Sequence, residues 1–226
     1  MSKTPSKSFV YRLVAPAMAL GGALFLASCA TDTGYTLGPD GKPYDKDGNA
    51  INPFEEGTYE HFKAEPGYPK TSNVWKNDEV LARTSAENSS LVISIPLQRG
   101  FLMNGEEVAI DYPVSTGRKS HPTPTGEYKI LEKEAEKRSN AYGKIYDAEG
   151  NVVNSDADSR KDEIPEGGKF VGASMPYWMR LTWDGVGHHI GRVPRYPASH
   201  ACIRGPRSVM PTVFKKTKLG TPVVVE

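Results

Sequence analysis

The 226-residue chain has only two cysteines, Cys29 and Cys202. That excludes a disulfide-stapled scaffold and a four-cysteine zinc site. It has almost no net charge, +1 with histidine neutral, so it lacks the large basic surface that holds nucleic acid. Its longest uncharged apolar run, Val14–Ala27, is too short to span a bilayer comfortably. Charged residues at 24% beside 38% hydrophobic residues argue against global disorder. What is plentiful is glycine (22) and proline (18), which suits a turn-rich β protein rather than a helical bundle.

The N-terminus reads as an address. Lys3, Lys7 and Arg12 precede the apolar run, as in an export signal. The run ends in Leu26-Ala27-Ser28-Cys29, which resembles the lipobox of bacterial lipoproteins. There the chain is cut before the cysteine and the cysteine is lipidated. The other reading is an ordinary secretory signal cut at a small residue. The resemblance implies a signal peptide over 1–28, lipidation of Cys29 and a membrane as partner. Ala30, which follows, favours the periplasmic face of an outer membrane over inner-membrane retention. Cys202 is then an unpaired thiol in an oxidising compartment, either buried and inert or kept for its chemistry.

Residues 29–89 are rich in Gly, Pro, Asp, Asn, Lys and Glu, and read as a polar tether, partly ordered at most. Its scattered aromatics, among them Tyr59, Phe62, Tyr68 and Trp75, are positioned to pack on the domain that follows. Asp45-Lys46-Asp47-Gly48-Asn49 resembles a calcium loop, but its glycine falls at the wrong position, and the segment reads as a turn. From Ser90 the pattern changes. Leu91–Ile95 is a β-branched strand run, and Asn104-Gly105 between apolar runs marks a hairpin. Gly126–Ile130, Tyr177–Trp183 and Pro222–Val225 read as further strands. Residues 132–168 read as a polar excursion. Ser208 is a candidate cap for a helix running to about Thr217, with Pro211 in its first turn.

Chemistry concentrates near the C-terminus, in His188-His189-Ile190-Gly191 and Ser199-His200-Ala201-Cys202-Ile203-Arg204. A cysteine attacks as its thiolate, an imidazole is the usual base, and acyl transfer needs backbone N–H donors for the oxyanion. Two other readings stand beside this one. In the first, His200 and Cys202 supply metal ligands, although His188 and His189 alternate across a strand and cannot easily share an ion. In the second, Cys202 is a small buried hydrophobe and the histidines are structural.

Ser199–Arg204 resembles the Ser-His-Gly-Cys-(Ile/Val)-Arg signature of the L,D-transpeptidases, the YkuD-type catalytic domain. His189-Ile190-Gly191 resembles that family's upstream His-x-Gly. Val114-Ser115-Thr116-Gly117 with His121–Tyr128, and Gly220–Val224, resemble two more of its segments. The likeness covers about 90–226, and implies a mainly β, sandwich- or barrel-like catalytic domain there, with one or two short helices. It implies Cys202 as nucleophile and His189 as base, with the Ile190 carbonyl fixing the tautomer of His189. Backbone N–H groups of Cys202 and its neighbours, Ala201 included, would bind the oxyanion. His200 and Ser199 would shape the site, and Arg204 would bind a substrate carboxylate. The partners implied are peptidoglycan stem peptides, with no nucleic acid, and neither metal nor organic cofactor. Transfer to water (a carboxypeptidase), or wall binding without catalysis, are the alternatives. One residue departs from the pattern: Ala201 stands where the family has glycine. If that position needs a positive φ, its methyl group introduces strain.

Overall fold

The computed structural model describes residues 34–226. Cys29, the leader and the proposed cleavage site lie outside the described residues.

In chain order the strands are β1 (Thr36–Leu37), β2 (Pro43–Tyr44), β3 (Trp75–Lys76), β4 (Ser89–Ser94), β5 (Arg99–Asn104), β6 (Glu107–Pro113), β7 (Gly126–Lys129), β8 (Glu132–Glu134), β9 (Arg138–Tyr146), β10 (Val152–Asp158), β11 (Lys169–Ser174), β12 (Trp178–Arg180), β13 (Gly187–Ile190), β14 (Ile203–Gly205) and β15 (Pro222–Val225). The helices are α1 (Tyr59–Ala64), α2 (Asp78–Arg83) and α3 (Met210–Lys215).

A six-stranded sheet runs β3-β6-β5-β4-β15-β7, and a four-stranded sheet runs β14-β13-β12-β8. Alternation explains how they meet. Leu91 and Ile93 on β4, Leu102 on β5 and Ile110 on β6 face one core, and Met179, Ile190 and Ile203 of the second sheet join it with Val213 of α3. The mainly β expectation holds. The hairpin after β5 also forms, with Asn104 paired to Glu107. Its loop is therefore Gly105-Glu106, and Gly105 takes the positive φ of +61°.

Three expectations need correction. Residues 132–168 are not a loose excursion: β9 is the middle strand of a third sheet, β10-β9-β11. Ser208 does not cap the C-terminal helix, since Val209 is the N-cap residue and no side chain bonds there. The segment before residue 90, expected to be partly ordered at most, carries β1, β2, β3, α1 and α2.

That early segment is tied in by charge as well as by apolar contact. β3 extends the large sheet at β6, pairing Trp75 with Asp111. Arg99 Nε donates to Asp111 Oδ1 at 2.7 Å, with both side chains fully buried. The Tyr59 hydroxyl donates to Asp111 Oδ2 at 2.9 Å, and the other Arg99 nitrogens donate to the carbonyls of Thr71 and Asn73. A buried ion pair persists only when its remaining donors and acceptors are satisfied, and here residues 59–73 do that. Val80 of α2 enters the core, and Lys216 Nζ caps the end of α2 at the carbonyls of Leu81 and Thr84. The Asp45–Asn49 stretch is a turn, with Asp45 Oδ1 accepting from the Asp47 and Asn49 N–H groups.

Candidate active site

The site is set by one parallel strand pair. β13 and β14 lie side by side, with His188 opposite Ile203 and His189 opposite Arg204. Opposed residues of neighbouring strands share a face, and residues two apart on one strand also share it. His189 and Arg204 therefore face one way, and His188 and Ile203 the other. Cys202, two residues before Arg204, comes out on the His189 side. All three line one cavity of about 520 Å³, together with Ser199, His200 and Ala201.

His189 is buried, and its Nδ1 lies 2.8 Å from the carbonyl oxygen of Ile190. A carbonyl only accepts, so Nδ1 carries the proton and Nε2 is left as the basic nitrogen. Burial lowers the pKa of His189 to about 4, against the opposing pull of the Ile190 bond. Burial also pushes the Cys202 thiol up, while the Gly187 N–H and the charges of Arg204 and Arg180 favour its anion. The thiol itself donates to the Gly185 carbonyl at 3.5 Å. Both shifts favour the uncharged forms, a neutral imidazole and a thiol.

The loop that presents Cys202 rests on the Ser-Thr-Gly and Thr-Pro-Thr segments. The Arg118 N–H donates to the Ser199 carbonyl, and the Ala198 and Ser199 N–H groups to the Thr116 carbonyl. The Thr123 hydroxyl accepts from the Gly117 N–H and donates to the Ala201 carbonyl, each at 2.8 Å. A Cβ at Gly117 would lie 2.1 Å from the His121 carbonyl oxygen, so only glycine permits this approach. Ser199 is buried, and its hydroxyl donates to the Cys202 carbonyl.

Ala201 adopts φ +67°, the left-handed region that costs an L-residue roughly 1 kcal/mol or more. The departure from the glycine pattern therefore falls where the methyl group is strained. The Ala201 N–H donates to the His121 carbonyl at 3.0 Å. That amide is thus already engaged, which takes Ala201 alone out of the amides expected to bind the oxyanion. The Cys202 N–H makes no hydrogen bond among the described residues.

The His200 ring stacks on Tyr142 of β9, with centroids 4.3 Å apart, and its Nε2 meets a guanidinium nitrogen of Arg118. Arg118 in turn faces Asp156 of β10 at 3.6 Å. His200 thereby joins the nucleophile loop to the three-stranded sheet, whose residues 138–142 and 173–174 wall the cavity. The Arg204 guanidinium has no ion pair among the described residues, so a structural salt bridge does not account for it. Its stem explains Gly191, where a Cβ would lie 2.8 Å from Arg204 Cγ. His188 is wholly buried: Nδ1 donates to the Ile203 carbonyl at 2.9 Å, and Nε2 accepts from the Tyr112 hydroxyl at 3.0 Å. Among the described residues, no group of three or more His, Cys, Asp or Glu side chains is arranged to hold a metal ion.

Sequence reasoning assigned no role to Thr123, Trp178, Arg180, Tyr142 or Asp184. For Thr123 a signal existed, since it lies inside a recognised motif. The others are brought to the cavity by tertiary pairing alone.

Residues 88–225 match the family model described as YkuD: L,D-transpeptidase catalytic domain. The chain belongs to that family. Among solved structures it is similar to an L,D-transpeptidase from Mycobacterium smegmatis, at 22% identity over 62% of this chain and 58% of that one, with a TM-score of 0.47. Similarity extends to an L,D-transpeptidase from Stackebrandtia nassauensis, at 17% identity over 66% and 63%, with a TM-score of 0.45. For one from Enterococcus faecium the figures are 23%, 62% and 50%, with a TM-score of 0.43. The chain thus spans less than two thirds of the length of each. A search of curated proteins finds no match.

Proposed function

We propose that the protein is a cysteine-dependent peptidoglycan L,D-transpeptidase of the bacterial cell envelope, held by a lipid on Cys29. The observation that carries this reading is the His189–Ile190 hydrogen bond. It leaves the basic nitrogen of His189 on the strand face that also presents Cys202.

In the proposed cycle the donor is a tetrapeptide stem. His189 Nε2 takes the thiol proton as Cys202 Sγ attacks the carbonyl carbon of the third residue. The oxyanion accepts from the Cys202 N–H. On collapse the C–N bond breaks, and protonated His189 returns its proton to the departing terminal D-amino acid. The thioester is then attacked by an amine, whose proton His189 takes; the C–S bond breaks and His189 returns that proton to Cys202 Sγ, giving a 3→3 cross-link or an attached protein. Attack by water gives carboxypeptidase action instead. Arg204 binds a stem carboxylate with charge-assisted hydrogen bonds. By the same chemistry a carbapenem acylates Cys202.

The test is incubation of the soluble chain from Ala30, and of its Cys202→Ala variant, with a disaccharide-tetrapeptide, followed by mass spectrometry. Loss of the terminal D-alanine with a dimer appearing, only when Cys202 is present, is expected. Loss without a dimer assigns water as acceptor. No loss from either protein overturns the reading.

A further inference from the structure

A chain of ring and guanidinium contacts leads outward from the base, starting at the cavity wall. The Trp178 ring lies 5.9 Å from the His189 ring. The Arg180 guanidinium lies 5.4 Å from the Trp178 ring and 5.4 Å from the Trp183 ring, so it sits against both. Glu132 fixes the inner part, accepting from Trp178 Nε1 at 3.1 Å and from Arg180 Nε at 3.2 Å. The outer end is Trp183, which is 73% exposed.

Trp183 is exposed where Trp178 is buried and Trp75 half-buried, so it forgoes apolar burial that the other two tryptophans gain. Its position gives it a use. Trp183 stands in the Thr182–Val186 turn, whose residues Asp184, Gly185 and Val186 line the cavity. The Gly185 carbonyl accepts the Cys202 thiol. One face of the Trp183 ring lies on Arg180, and the exposure leaves the other open. A rigid indole face beside a carboxylate suits a sugar ring. The π face is electron-rich and attracts the polarised C–H groups of a pyranose, and Asp184 can accept from its hydroxyl and amide groups.

We propose that Trp183 and Asp184 form a glycan subsite, in which the indole stacks on the N-acetylated amino sugar that carries the donor stem. This rests on the functional reading above.

The experiment compares kcat/KM for D-alanine release from a disaccharide-tetrapeptide and from the same free tetrapeptide, in the wild type, Trp183→Ala and Trp183→Phe. The wild type is expected to prefer the glycan-linked donor by about three- to ten-fold. Trp183→Ala is expected to abolish that preference, with the free tetrapeptide unaffected, and Trp183→Phe to restore most of it. Equal use of both donors by the wild type overturns the proposal. So does an equal loss on both donors in Trp183→Ala, which would assign the indole to the peptide. Release from neither donor overturns the functional reading instead. The subsite is then decided by calorimetry with the disaccharide alone: binding that Trp183→Ala removes supports it, and no binding to the wild type overturns it.

Discussion

His188 and His189 are neighbours in sequence and opposites in space. His188 bridges Tyr112 and Ile203 inside the core, and His189 lines the cavity. Both are held neutral by burial, each with its pKa lowered to about 4. An unfolded histidine titrates near 6.5. As pH falls below that value, the unfolded chain takes up protons that the folded chain resists. The folded state is therefore most favoured above about pH 6.5 and loses stability between there and pH 4. The loss is on the order of 3 kcal/mol per histidine. Urea unfolding across that range checks it, and a flat profile between pH 6.5 and 4 would contradict the two assignments. His188→Ala should remove about half of the slope.

The same burial governs the acid limb of activity. Since His189 stays unprotonated well below 6.5, kcat/KM for donor acylation should hold its neutral-pH value down to about pH 5 in any range where the fold persists. An acid limb with a midpoint near 6.5 would mean that the base titrates as an exposed imidazole.

Cys202→Ala should abolish acylation by a carbapenem and leave the thermal midpoint nearly unchanged, because the thiol is small and its bonds, to the Gly185 carbonyl and from the Gly187 N–H, are weak. His189→Ala should slow acylation by about 10²- to 10⁴-fold, the range for loss of a positioned base. Intact-mass kinetics reads both. Acylation of His189→Ala at the wild-type rate would refute the base assignment.

Ala201→Gly should stabilise the protein, because glycine adopts φ +67° without the clash of a β-carbon. The gain expected is about 1 kcal/mol, or a few degrees in thermal midpoint. The hydrogen bonds of residue 201 to His121 and Thr123 are backbone bonds and survive the change. The acylation rate is therefore expected to change little, and a large change would assign the methyl group a direct part in the site.

Asp111→Ala would leave the Arg99 guanidinium buried without its counter-charge. Such losses cost about 3–5 kcal/mol. Tyr59→Phe, which removes one donor to Asp111, should cost about 1 kcal/mol. Chemical denaturation measures both, and a neutral Asp111→Ala would show that residues 59–73 are not held through this pair.

The sequence shows clearly what is local. The β-branched run at Leu91–Ile95, the Asn104-Gly105 turn and the four ordered motifs gave the sheet, the hairpin and the residues of the cavity. What it hid was non-local. β9, β10 and β11 carry polar residues on both faces, so no alternation marks them. The early segment looks like a tether in sequence because its anchor is a charged pair, Arg99 of β5 and Asp111 of β6, far along the chain from the Tyr59, Thr71 and Asn73 that it binds. Ser208 resembles a helix cap, but the turn from Pro206 delays the helix to Met210. The strain at Ala201 depends on its φ, which the fold sets and the sequence does not display.

The packing of the early segment also bears on reach. A free leash from Cys29 to residue 89 would let the catalytic cavity roam on the order of 200 Å from its anchor. With the chain folded from Gly34 onward, and Lys42 hydrogen-bonded to the carbonyls of Glu65 and Pro66, little slack remains. The links from Cys29 to Gly34 span at most about 18 Å. A lipid on Cys29 would then hold the enzyme as a fixture of the membrane surface, serving only those strands of the wall that come within a molecular diameter of it.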